Sequence, residues 1–162
     1  MMKKILFLIL LILPFFITTS LYSLDKTNFL CPIQYKGDIV VRCDGRGDGA
    51  FASPRSGNRQ HQGVDLLADI GTPVLAARTG RVIAAKSNNG MGKYVIIRHK
   101  GKTDTLYGHL NSIYVRKGNF VKQGTIIGTV GKTGNARYSD IQPHLHFEVR
   151  EKGKRQDPLN YL

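Results

Sequence analysis

The chain has 162 residues, of which 24 are Lys or Arg and 11 are Asp or Glu, for a formal charge of +13. That length fits one domain, and a hydrophobic fraction of 41% excludes both a disordered chain and a multi-spanning membrane protein. The charge surplus points to an anionic partner, with nucleic acid, phospholipid and an acidic cell wall all fitting.

Lys3 and Lys4 precede an apolar run of 13 residues, Ile5 to Ile17, followed by Thr18, Thr19 and Ser20. This is the layout of a secretory signal peptide, and the run is short of the ~20 residues that a stable membrane span needs. Residues 1–23 are therefore expected to be a signal peptide, with export to the periplasm, the cell wall or the outside. An uncleaved anchor is the alternative, because no Ala-x-Ala precedes the expected cut. Setting aside residues 1–20 removes Lys3 and Lys4 and no acid, which leaves +11 on the exported part. Cys31 and Cys43 follow. In an oxidising compartment such a pair is expected to close a disulfide, with two buried thiols as the alternative. The bridge would tether an N-terminal segment, residues 24–45, to a domain at 46–162.

From Asp44 onward the chain reads as short strands. Asp44 to Ala50 carries three glycines in seven residues and is expected to be a turn-rich loop. Strands are predicted at Val64 to Leu67, Pro73 to Ala77, Gly80 to Ala85, Lys93 to Arg98, Thr103 to Tyr107, Ile113 to Val115, Thr125 to Val130 and His144 to Arg150. Each is rich in Val, Ile, Tyr or Thr and bounded by Gly, Asn or Pro. Eighteen Gly, no Trp and only two Glu disfavour long helices. The expected fold is mainly β, an antiparallel two-sheet sandwich or a partly open barrel. A loose echo between Gly71 to Val82 and Gly118 to Val130 suggests a biotinyl or lipoyl carrier domain, but Lys132 lies in no cofactor-accepting motif.

The chemistry concentrates in five histidines. His61 and Asp65 are four apart and share a face in either a helix or an extended segment, so both can reach one metal ion. A surface His beside a capping Asp is the bland alternative. In Pro143-His144-Leu145-His146-Phe147-Glu148-Val149, alternate residues of a strand face one way. His144 and His146 therefore share a side, with Cα atoms about 6.6 Å apart, while Leu145, Phe147 and Val149 face a core. His109 stands alone after a strand, and His99 reads as structural or solvent-exposed. His61, Asp65 and one of His144 and His146 make three N/O ligands, the count of a catalytic zinc site with a fourth position open to water. No His-Glu-x-x-His helix is present and Glu148 and Glu151 are poorly placed as its base, so acid–base work falls to the spare histidines.

Five segments in order resemble the lysostaphin-type (LytM-like) zinc metallopeptidases. They are His61-x-Gly63-x-Asp65, Gly92 to His99, Tyr107-Gly108-His109-Leu110, Val121 to Gly134 and Pro143 to Val149. The resemblance implies a β fold with zinc in a groove between loops. It also implies one zinc ion held by His61, Asp65 and His146, with His109 and His144 as catalytic residues acting on the attacking water and the tetrahedral intermediate. Its usual substrate is a peptide stem or cross-bridge of peptidoglycan. Locally, Arg42 to Asp65 and Ile141 to His146 are also similar to the leukocyte cell-derived chemotaxins, secreted binding proteins that lack a histidine equivalent to His109.

The expectation is an exported, monomeric zinc metalloendopeptidase of bacterial peptidoglycan, drawn by its charge to anionic cell-wall polymers. The alternative is a zinc-containing, non-catalytic binding or regulatory protein, such as a hydrolase activator. A nucleic-acid module is disfavoured, because the basic residues are scattered and no stacking motif appears.

Overall fold

The structure, a computed structural model, describes residues 29–162. The expected signal peptide and the start of the 24–45 segment lie outside the described residues. Two short hairpins come first: β1 (Cys43–Asp44) with β2 (Gly47–Asp48), and β3 (Pro54–Arg55) with β4 (Arg59–Gln60). The first hairpin occupies the segment expected to be a loop. β5 (Val64–Leu67), β6 (Pro73–Leu75), β7 (Gly80–Asn88), β8 (Gly92–His99), β9 (Thr103–Ile113), β10 (Phe120–Val121), β11 (Ile126–Val130), β12 (His144–Glu151) and β13 (Lys154–Gln156) build a nine-stranded sheet. All its pairings are antiparallel. The order β10-β7-β8-β9-β11-β6, with β12 branching from β9 and carrying β5 and β13, does not close into a barrel. The helical content among the described residues is two 3-10 turns, Gly134–Arg137 and Pro158–Asn160. None of these residues forms a helix long and apolar enough to cross a membrane.

β9 positions the site. One edge pairs with β8, while the other is divided: Thr103 to Gly108 pair with β12, and Leu110 to Ile113 with β11. His109 sits at the division with φ of 60°, in the left-handed region that non-glycine residues seldom adopt. There the register to β8 shifts, since Tyr107 faces Val95 and Leu110 faces Lys93. The irregularity is a bulge, a device that re-aims a side chain. The two strands predicted at Thr103 to Tyr107 and Ile113 to Val115 are thus largely one, since Gly108-His109 kinks the strand without ending it.

β12 is buried on both faces. Leu145, Phe147 and Val149 join Val64, Leu66, Tyr107 and Ile127 in the core, while His144, His146 and Glu148 on the other face are also buried. Burying a side chain the size of Phe147 contributes about 1.5–3 kcal/mol, so the apolar face anchors the strand and holds the polar face in place. Gly131 lets β11 end close beside β9, where a Cβ would collide with the backbone of Asn111 and His109.

The expected Cys31–Cys43 disulfide is not formed; both thiols are free. Cys31 is half-buried and packs against the core, whereas Cys43 is exposed on β1. Backbone hydrogen bonds tie the segment down in place of a bridge: Leu30 N to Ala77 O (2.8 Å), Leu75 N to Pro32 O (2.9 Å) and Leu67 N to Val40 O (2.8 Å). Phe29 packs edge-on against His99 and Tyr161. His99 is structural, buried between Thr79 O (3.0 Å) and Thr105 Oγ1 (2.8 Å).

Candidate active site

His61 directly follows β4, Asp65 lies in β5, His109 in the β9 bulge, and His144 and His146 in β12. The antiparallel register sets His146 opposite Asp65 on one side and Gly108 on the other. An isolated bridge joins His144 to Gly131. All five side chains expected to form the site are brought together, and each residue is at most 8% exposed.

Three of them converge on a point. His61 Nε2 lies 3.0 Å from His146 Nδ1 and 3.0 Å from Asp65 Oδ1, and His146 Nδ1 lies 2.9 Å from Asp65 Oδ1. Ligand atoms around one tetrahedral zinc stand about 3.3 Å apart, close to this triangle. The proton inventory calls for a cation. His61 Nδ1 is 2.9 Å from Ala50 O, and because a carbonyl only accepts, the ring proton sits on Nδ1. In the neutral ring Nε2 would then direct a lone pair at Asp65 Oδ1, an arrangement that a cation between them would satisfy. On the far side of the His146 ring, Nε2 faces Glu148 Oε1 at 3.1 Å, the carboxylate–histidine arrangement that orients metal-bound imidazoles. The donor set, two imidazoles and a carboxylate, suits zinc.

The surrounding charges fit the same picture. Burial raises the Asp65 carboxyl, but the imidazoles of His146 and His61 outweigh it and hold the group well below the ordinary range. Arg42 donates to its other oxygen through Nη2 at 3.0 Å. Burial depresses His146, yet Asp65 and Glu148 overcome that and raise it to about 9. Burial pushes Glu148 up, but the His146 bond and Arg150 leave it lowered.

His109 and His144 differ from these three. His109 Nδ1 donates to Thr133 O (2.9 Å) and His144 Nδ1 to Gln142 O (2.7 Å), which leaves each Nε2 as an acceptor. Their ring centroids are 5.0 Å apart, and His144 Nε2 lies 3.8 Å from Asp65 Oδ1. Burial, reinforced by His146 and His144, pushes His109 down to about 3, and burial also lowers His144. Two neutral imidazoles, able to take a proton, therefore flank a triangle of donor atoms that could hold a metal ion.

This cluster lies in a groove of about 600 Å³. Residues 59–158, well over half of the chain, match peptidase family M23. The chain belongs to peptidase family M23. Its M23 sequence is 44% identical over 115 residues to a lipoprotein NlpD/LppB homolog of Pseudomonas aeruginosa, covering 70% of this chain and 36% of that protein. It is 41% identical over 100 residues to the peptidoglycan DD-endopeptidase ShyC of Vibrio cholerae, covering 62% and 22%. It is 35% identical over 120 residues to the murein hydrolase activator NlpD of Salmonella typhimurium, covering 74% and 30%. The chain thus spans about a third or less of the length of these relatives. Among solved structures, the catalytic domain of the antimicrobial peptidase lysostaphin from Staphylococcus simulans matches with a TM-score of 0.61 at 33% identity, over 73% of this chain and 91% of that one.

Sequence reasoning missed two partners of the M23 site. Glu148, dismissed as a base, is fully buried against His146 and Arg150. The alternation that placed His146 on the polar face also places Glu148 there, so its signal was present. Arg42, bonded to Asp65 and Asp44, carries no local signal.

Proposed function

We propose that this chain is an exported zinc metalloendopeptidase that hydrolyses peptide bonds in the stems or cross-links of peptidoglycan. The observation that carries the reading is the complete constellation in one groove. His61, Asp65 and His146 offer three converging donor atoms, and His109 and His144 each direct an unprotonated Nε2 beside them. His61, Asp65 and His146 would hold the metal, with Glu148 and Ala50 O orienting the two imidazoles.

When bound, zinc supplies Lewis acidity that acidifies a water and polarises the scissile carbonyl. One of His144 and His109, both neutral and anchored through Nδ1, accepts the proton of the attacking water at Nε2. That proton turns the accepting Nε2 into a donor, so the protonated ring supports the developing oxyanion and then returns the proton to the departing amine. Burial of both rings excludes competing solvent and keeps them uncharged until that transfer.

The relative named as a peptidoglycan DD-endopeptidase supports the substrate class and the structure named as an antimicrobial peptidase supports peptide-bond hydrolysis, and the net charge favours accumulation on an anionic wall. The relative named as a murein hydrolase activator supports a second reading, activation of a separate hydrolase, against which the intact set of five side chains counts. Mass spectrometry of defined peptidoglycans incubated with the zinc-loaded protein separates the two. New termini at one peptide bond, lost on chelation, support the peptidase. Intact peptidoglycan, together with stimulation of a separate wall hydrolase, would support the activator.

A further inference from the structure

The groove is lined by four arginines, Arg42, Arg46, Arg55 and Arg59, against one acidic side chain, Asp65. Two of the four are matched by carboxylates: Arg42 bonds Asp44 and Asp65, and Arg46 bonds Asp140. Arg55 approaches a carboxylate only at 3.7 Å, on the Asp65 oxygen that Arg42 already holds, and otherwise donates to Pro54 O. Arg59 donates to Ser56 O and Ser56 Oγ and meets no carboxylate among the described residues. Asn88, Asn89 and Asn135 also line the groove and carry no charge.

Arg55 and Arg59 are also directly opposite each other across β3 and β4. Like charges in that position destabilise a strand pair, and a hairpin with two residues per strand has little ladder to offset it. The pairing of the two cations therefore works against folding, offset only by their bonds to Pro54 and Ser56, and such a local conflict is expected where a ligand resolves it. Arg59 lies two residues before His61, at a Cα separation of about 6.6 Å for extended chain, so it borders the metal triangle.

We propose that Arg55 and Arg59 form a carboxylate-recognition subsite, so that the groove takes peptides bearing a free carboxylate close to the scissile bond. The inference rests on the peptidase reading and adds the substrate feature that this chain selects. Planar guanidinium groups grip a carboxylate through paired hydrogen bonds, whereas a carboxamide lacks the charge and turns one acceptor into a donor.

The test uses two peptidoglycan peptides identical except that one carries a free carboxyl and the other a carboxamide beside the scissile bond. Zinc-loaded protein should favour the carboxylate peptide by about tenfold in kcat/KM, the scale of one charge-assisted hydrogen bond. Arg59→Gln should bring the ratio near one by slowing the carboxylate peptide, chiefly through KM, and Arg59→Lys should keep part of it. Binding of both peptides to the zinc-loaded His109→Ala protein gives a readout independent of turnover. A carboxylate preference in binding without cleavage by the parent protein would keep the subsite and remove the peptidase reading. Equal treatment of the two peptides by the parent, or an undiminished preference in Arg59→Gln, would overturn the subsite.

Discussion

His61 Nε2 stands 3.0 Å from His146 Nδ1 across 85 residues of sequence, and both atoms face Asp65 Oδ1. Each imidazole has its other nitrogen held by a fixed acceptor, Ala50 O or Glu148 Oε1. The rings are thus oriented before any metal arrives, and binding need not order them. We expect the purified protein to hold about one zinc ion, and His61→Ala or Asp65→Ala to hold none by elemental analysis. Zinc at a thousand times its dissociation constant adds about 4 kcal/mol of stability, so chelation should lower the thermal midpoint of the parent and leave the two variants unmoved.

On the proposed mechanism, removing His109 takes away a proton acceptor and leaves His61, Asp65 and His146 in place. His109→Ala should retain zinc and lose about 10²- to 10⁴-fold in peptidoglycan hydrolysis, the usual contribution of a positioned acid or base. Dye release from labelled cell walls, measured beside metal content, checks both halves. Full activity in this variant would contradict the mechanism.

Glu148 touches His146 and not the converging atoms, so its effect should appear in metal affinity. Glu148→Gln keeps the size of the side chain but removes its charge beside His146 and Arg150. Zinc affinity should fall by about 10- to 100-fold, as for other partners of metal-bound histidines. Competition against a chelator of known affinity measures the change, and an unchanged affinity would show that the ring is held by packing alone.

Gly131→Ala places a methyl group against the Asn111 and His109 backbone. Forcing β11 away from β9 should cost about 1–3 kcal/mol, as overpacking does, and should displace His109 from His144. Urea unfolding gives the first effect and wall hydrolysis the second.

Asp44 supplies a pH-dependent contribution. Burial raises its carboxyl, but the hydrogen bond from Arg42 and those from the Gln142 and Arg46 amides leave it lowered. A carboxyl depressed on folding stabilises the protein above its unfolded value, about 3.9, and that stability is lost as pH falls through the lower folded value. Asp44→Asn should therefore be less stable than the parent at pH 7, by about 1.5–3 kcal/mol, the scale of a hydrogen bond to a charged group. The two unfolding curves should approach each other on acidification toward pH values below about 3.9, where Asp44 gains its proton.

Much of the molecule was legible before folding. Val64 to Leu67 and His144 to Arg150 match β5 and β12 closely because alternation and β-branched content are properties of single strands. Four of the five site side chains were legible for a similar reason, since His-x-His and His-x-x-x-Asp spacing specifies a shared face; His109, alone after a strand, was marked only by the family resemblance. The continuity of β9 was not. Gly108-His109 reads as a break in a single strand and becomes a bulge only when β8, β11 and β12 compete for its edges.

By itself the sequence determined the strand faces, the helix-poor composition and the residue types that could hold a metal, because these depend on local periodicity. Only the tertiary structure decided that His146 Nδ1, and not its Nε2, meets Asp65 and His61. That choice follows from the β5–β12 register and from Glu148 holding the opposite ring nitrogen. The recruitment of Arg42 to Asp65, the free state of Cys31 and Cys43, and the opposition of Arg55 and Arg59 also belong to the tertiary level. Each depends on how distant backbone segments pair, and a one-residue slip in that pairing would turn every side chain to the other face.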